Sequence, residues 1–132
     1  MEGRDEKLFL IKEFKFDAAH NLESYKGRCE KLHGHTYKLV VVLQGIPDHE
    51  GMIMDFLELK EIVNEKVLKK IDHSYLNNII KQPSAENIAL WVWKQLEESV
   101  SRKNCRLYEV QVWETETSGV VYRGESFEGR SK

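Results

Sequence analysis

His33 and His35 stand either side of Gly34, with Cys29 four residues upstream of His33 and His20 thirteen upstream. In an extended segment residues i and i+2 share a face, so His33 and His35 would present their imidazoles together. Gly34 carries no side chain, which lets a ligand approach the backbone closely. Three neutral imidazoles with an open fourth position make a catalytic zinc site rather than a closed structural one. Zinc is favoured because imidazole-only sites suit it and it is redox-silent; nickel, copper and iron accept the same donors.

Four other positions bear on chemistry. Cys29 is either a fourth zinc ligand or a nucleophile or base whose pKa a nearby metal would lower. Lys26, Arg28 and Lys31 surround it and would favour a thiolate or bind an anionic group. Asp72-His73 reads as a helix C-cap feature or as an imidazole working as general acid or base. Adjacent residues form an orienting pair only in a special turn. Glu114 shares the apolar parity of Tyr108, Val110 and Val112. A carboxylate at the end of a buried face needs partners, and a ligand edge with two N–H donors would supply them; a solvated Glu114 beyond a frayed strand is the other reading. His49, in a polar turn, and Cys105, a plain thiol, are read as outside the chemistry.

The elements that must position these residues are legible in the periodicity. In residues 8–20, Phe14, Phe16, Ala18 and His20 share one parity. Residues 33–45 form a second strand with His33, His35, Tyr37, Leu39, Val41 and Leu43 on one face. An antiparallel pairing across the 21–32 loop would set His20 beside His33 and His35. Residues 45–51 read as a turn, residues 52–54 as a short strand, and Asp55 as the cap of a helix. That helix buries Phe56, Leu59, Ile62, Val63, Val67 and Ile71. Residues 72–83 form a loop. Ser84 caps a second helix with Ile88, Ala89, Val92, Leu96 and Val100 as its stripe, flanked by Trp91 and Trp93. Residues 106–116 and 119–123 make a hairpin, and residues 124–132 a polar tail. The order predicts an α+β fold with antiparallel strands and two helices on one face. The uncovered face and edges favour oligomerisation.

The chain of 132 residues suits a single domain over 1–132, with its core at about 8–123. Its net charge of −2 suggests neither nucleic acid nor an anionic membrane as partner. No run reaches transmembrane length, no signal-type apolar segment follows residues 1–7, and two cysteines make no disulfide framework. A cytoplasmic setting is the expectation.

Several segments together resemble the 6-pyruvoyl-tetrahydropterin synthase and 6-carboxytetrahydropterin synthase family, of the T-fold (tunnelling-fold) class. They are Phe16-Asp-Ala-Ala-His20, Cys29-Glu-Lys-Leu-His33-Gly-His35, Gly51-Met-Ile-Met-Asp55-Phe, Asp72-His73-Ser-Tyr-Leu76-Asn77, Pro83-Ser-Ala-Glu86-Asn87 and Trp113-Glu114-Thr115. The resemblance runs from about Phe9 to Tyr122. It implies one zinc per subunit on His20, His33 and His35, Cys29 as proton acceptor, and Asp72 and His73 completing a relay across a subunit boundary. It makes Glu114 the anchor of the pterin ring. Ser84 and Ala85 stand where the family helix often carries threonines, so Ser84 keeps a hydroxyl contact with substrate and Ala85 only backbone. The three-residue gap between Cys29 and His33 looks like the 6-carboxytetrahydropterin synthase branch of queuosine and deazapurine biosynthesis. The implied reaction takes 7,8-dihydroneopterin triphosphate and water to 6-carboxytetrahydropterin, acetaldehyde and triphosphate. Another pterin side-chain lyase and a non-catalytic zinc- or pterin-binding protein are the alternatives. The resemblance also implies that three sheets close into a barrel and two trimers stack into a homohexamer, with sites at subunit interfaces.

Overall fold

The computed structural model describes residues 5–23 and 31–127. Strands β1 (Leu8–His20) and β2 (His33–Gly45) pair antiparallel along their full length, from Leu8 opposite Gly45 to His20 opposite His33. The shared parity of their apolar residues decides this register, because a slip of one residue would turn the whole buried set to solvent. Phe14, Phe16 and Ala18 on β1 and Tyr37, Leu39, Val41 and Leu43 on β2 are all buried.

The sheet has five strands rather than four, in the order β3-β1-β2-β4-β5. β4 (Cys105–Trp113) pairs antiparallel with β2, and β5 (Gly119–Tyr122) with β4. The fifth strand, β3 (Ser74–Tyr75), lies parallel to β1 inside the expected 72–83 loop. Two residues are too few to show periodicity. A bulge in the β2–β4 ladder opposes Val42 to Glu109 and Leu43 to Leu107, leaving Tyr108 as the extra residue. Tyr108 therefore leaves the core parity expected of it and meets the rings of Phe9 and the guanidinium of Arg123.

No strand forms at 52–54. Asp48 accepts from the amides of Glu50 and Met52 and closes a turn through Gly51, whose φ is +83°. Ile53 and Met54 are buried from that turn. Asp55 then caps α1 (Phe56–Val63) by accepting from the Leu57 amide. Phe56 projects into solvent, against expectation, at the outward-facing first position of the helix. The helix runs on through a π-helical segment (Asn64–Leu68) into α2 (Lys69–Ile71). The π turns have a use here. Leu59, Val63, Val67 and Ile71 recur every four residues, a spacing that drifts about 40° per step on a regular helix. Wider turns hold all four in the core, where each is buried.

α3 (Ala85–Leu96) starts at Ser84, whose hydroxyl accepts from the Asn87 amide. Ile88, Ala89, Val92 and Leu96 on α3, and Val100 beyond it, are fully buried, as expected. Both helical rods cover one face of the sheet. Phe9, Ile11 and Val121 stand exposed on the other. No helix of the described residues is long and apolar enough to cross a membrane.

Candidate active site

The strand ends decide where the histidines meet. His20 closes β1 and His33 opens β2 directly opposite, while His35 faces Ala18. The three rings stack edge to face, with centroids 4.6 to 5.2 Å apart. One ring nitrogen from each lies within 4.8 Å of the others, a set that could hold a metal ion. His20 is 2% exposed.

Two of the rings are oriented by the backbone behind them. His20 Nδ1 donates to the Pro83 carbonyl at 2.7 Å, and His33 Nδ1 to the Lys31 carbonyl at 2.9 Å. A carbonyl only accepts, so the proton of each neutral ring sits on Nδ1 and each Nε2 presents a lone pair. Those two Nε2 atoms face each other at 3.0 Å. Facing lone pairs repel unless a cation stands between them. Backbone carbonyls behind ligand imidazoles are the usual outer partners of a metal site. The donor set therefore fits a metal of zinc's kind.

Glu114 follows the last residue of β4 and is held by its amide donating to the Ser118 carbonyl at 3.0 Å. Its carboxylate oxygens lie 3.7 Å from His20 Nε2 and 3.8 Å from His35 Nε2. The expected core-side parity is what brings it there.

Asp72 and His73 occupy the special turn that an adjacent pair requires. His73 has a φ of +58°, a left-handed conformation uncommon outside glycine. Its amide donates to the Asp17 carbonyl at 2.6 Å, and Asp72 Oδ1 accepts from the Asp17 amide at 3.0 Å. Asp72 Oδ2 lies 3.8 Å from His73 Nε2. Asp17 also accepts from the Thr36 hydroxyl. His35, Gly34, Asp17, Thr36 and His73 line one cleft of about 550 Å³. Of the three histidines only His35 lines it; most of the lining, Asp17, Ala19, Gly34 and Thr36, has the strand parity opposite to the triad.

Cys29, with Lys26 and Arg28, lies outside the described residues. Lys31 is described and exposed, and its carbonyl rather than its ammonium meets the triad. Ser84 spends its hydroxyl on the helix cap, and Ala85 is half-buried in the first turn beside it. His49 is exposed. Cys105 is buried, and burial pushes its thiol pKa up.

Sequence reasoning missed a clamp on the chain leaving β1. Asn77 accepts from the Asn21 amide and donates to the Asn21 carbonyl, at 3.0 and 2.8 Å. Gln82 does the same to Glu23, at 2.9 Å in both directions. Two side-chain amides thereby replace a neighbouring strand at residues 21 and 23. Gln82 holds its own place in a left-handed turn, with φ +49° and its carbonyl accepting from Asn87 Nδ2. The only prior signal was Asn77 within the Asp72–Asn77 segment.

A sheet with helices on one face and three imidazoles gathered at the ends of its two long strands defines a T-fold candidate metal centre. The family model described as 6-pyruvoyl tetrahydropterin synthase matches residues 9–125, and the chain belongs to that family. It is 39% identical to a putative 6-carboxy-5,6,7,8-tetrahydropterin synthase of Archaeoglobus fulgidus, over 85% of this chain and 92% of that one. It is also 39% identical to a dihydroneopterin monophosphate aldolase of Pyrococcus furiosus, over 86% and 96%. The structure of 6-pyruvoyl tetrahydropterin synthase from Caenorhabditis elegans superposes with a TM-score of 0.75 at 26% identity, covering 91% of this chain and 97% of that one.

Proposed function

We propose that the protein is a zinc-dependent 6-carboxy-5,6,7,8-tetrahydropterin synthase, a cytoplasmic single-domain lyase of queuosine and deazapurine biosynthesis. It converts 7,8-dihydroneopterin triphosphate and water to 6-carboxytetrahydropterin, acetaldehyde and triphosphate. The observation that carries the reading is the imidazole set of His20, His33 and His35, with one ring nitrogen of each within 4.8 Å of the others. Zinc bound there supplies Lewis acidity to the substrate's side-chain hydroxyls.

The chain's own residues supply the proton handling and the grip. Cys29 accepts a proton from the substrate side chain. His73, oriented by Asp72, exchanges protons with the medium or with Cys29. Glu114 receives the N–H donors of the pterin ring. Ser84 and the backbone at Ala85 contact the substrate from the start of α3. The apolar residues left open on the sheet favour closure of three sheets into a barrel and stacking of two trimers. In such a homohexamer the relay is completed across subunits.

The product branch rests on the three-residue gap between Cys29 and His33. The aldolase-named relative is as similar as the carboxypterin-named one, so identity does not separate the branches. Mass spectrometry of the products formed from 7,8-dihydroneopterin triphosphate by zinc-loaded protein does. Carboxytetrahydropterin with acetaldehyde is the expected result. Pyruvoyl-tetrahydropterin or a side-chain-cleaved hydroxymethylpterin would overturn the branch and leave the site roles standing. No turnover by a metal-replete oligomer would favour a binding protein.

A further inference from the structure

Tyr37 follows His35 by two residues on the same face of β2 and is fully buried. Its ring stacks on that of Phe16, directly opposite on β1, with centroids 4.8 Å apart and planes 6° from parallel. The same ring meets two of the imidazoles edge to face, His35 with centroids 5.5 Å apart and His20 at 6.0 Å. Tyr37 thus joins the apolar core to two of the three candidate ligands.

That packing needs a ring and no hydroxyl. A hydroxyl in a core costs free energy unless it is hydrogen-bonded. The Tyr37 oxygen stands 3.3 Å from His20 Nδ1, the atom whose proton goes to the Pro83 carbonyl at 2.7 Å. A hydroxyl oxygen accepts as well as donates, so this N–H has two oxygens to share. The carbonyl takes the short branch and Tyr37 the long one. Together they keep the proton on Nδ1 and leave the lone pair of Nε2 to the triad. Electron-rich partners on one ring nitrogen make the other a better metal donor.

We propose that Tyr37 is a positioning residue of the metal site, its hydroxyl holding the His20 ring in the tautomer and orientation of a ligand. The inference rests on the metal role of the triad given above. The ring of Tyr37 acts separately, as packing shared with Phe16, so substitution can tell the two parts of the side chain apart.

The test measures zinc affinity by chelator competition, the visible absorption of cobalt-substituted protein, and the denaturant midpoint of the metal-free protein. The samples are the wild-type protein, Tyr37→Phe, Phe16→Leu and His33→Ala. Tyr37→Phe keeps the stack and loses the hydroxyl. It is expected to weaken zinc binding about 10-fold, the low end for losing an outer partner because Pro83 remains, and to shift the cobalt bands. Phe16→Leu loosens the stack and keeps the hydroxyl, so it should lower the midpoint and leave zinc affinity and bands close to wild type. Wild-type affinity and bands in Tyr37→Phe would overturn the inference and leave Tyr37 a core residue. An equal loss of affinity in Phe16→Leu would overturn it too, because packing rather than the hydroxyl would then set the site. Wild-type zinc affinity in His33→Ala would instead overturn the triad itself.

Discussion

The two histidine-bearing regions, the triad and the turn at His73, are built in opposite ways. His20, His33 and His35 sit on regular extended backbone, and their convergence needs only strand parity and an antiparallel register. His73 sits on a left-handed residue at the end of a helical rod, is 77% exposed, and is held by Asp17 and the short β3 pairing. A metal site gains from rigidity, because three donors must keep one spacing through every turnover. A proton-relaying group needs access to solvent and to substrate. Strain held at such a position, of order 1–3 kcal/mol, persists only where neighbours over-determine it. Here Asp17 does so from both its amide and its carbonyl.

The comparison is broken most directly at the metal end. His33→Ala should lose bound zinc and all turnover together, read by metal analysis and product assay; full zinc occupancy would sink the ligand assignment. At the other end, His73→Gln should keep zinc and lose about 10²- to 10⁴-fold in kcat. Cys29→Ala should do likewise with a loss at least as large. Loss of metal in either variant would mean that the two ends are not separate functions. Asn77→Ala sharpens the comparison by loosening the chain that leaves β1 without touching a histidine. It leaves the Asn21 amide and carbonyl without their partner and should cost about 1–2 kcal/mol of stability by denaturant unfolding, with zinc still bound. The smallest effect is expected at Cys105. In a Cys29→Ala background the native protein should react slowly with a thiol reagent and quickly once unfolded, because burial both shields the thiol and raises its pKa.

What was legible follows the length of each repeating pattern. The two long strands, the stripe of α3 and the caps at Asp55 and Ser84 are local or periodic features, and each is where the residues predict it. The misses are short or non-local. Two residues of β3 carry no period. Residues 52–54 look strand-like until Asp48 folds the chain back on Met52. Tyr108 follows its alternation only up to a bulge, which exists because β2 and β4 differ in spacing over that stretch. The clamp by Asn77 and Gln82 joins positions more than fifty residues apart. Nothing in either segment alone specifies it.

The sequence by itself determined the triad. Alternation put three histidines on one parity, and burial of the apolar residues on that parity left one register for the strands. Tertiary structure alone decided where the other candidate residues stand. Packing of the helical rod against β1 set Asp72 and His73 in a left-handed turn on Asp17. The hairpin after β4 set the Glu114 carboxylate within 3.8 Å of two imidazoles. Both depend on where separate segments meet, which follows from filling one core rather than from any local preference.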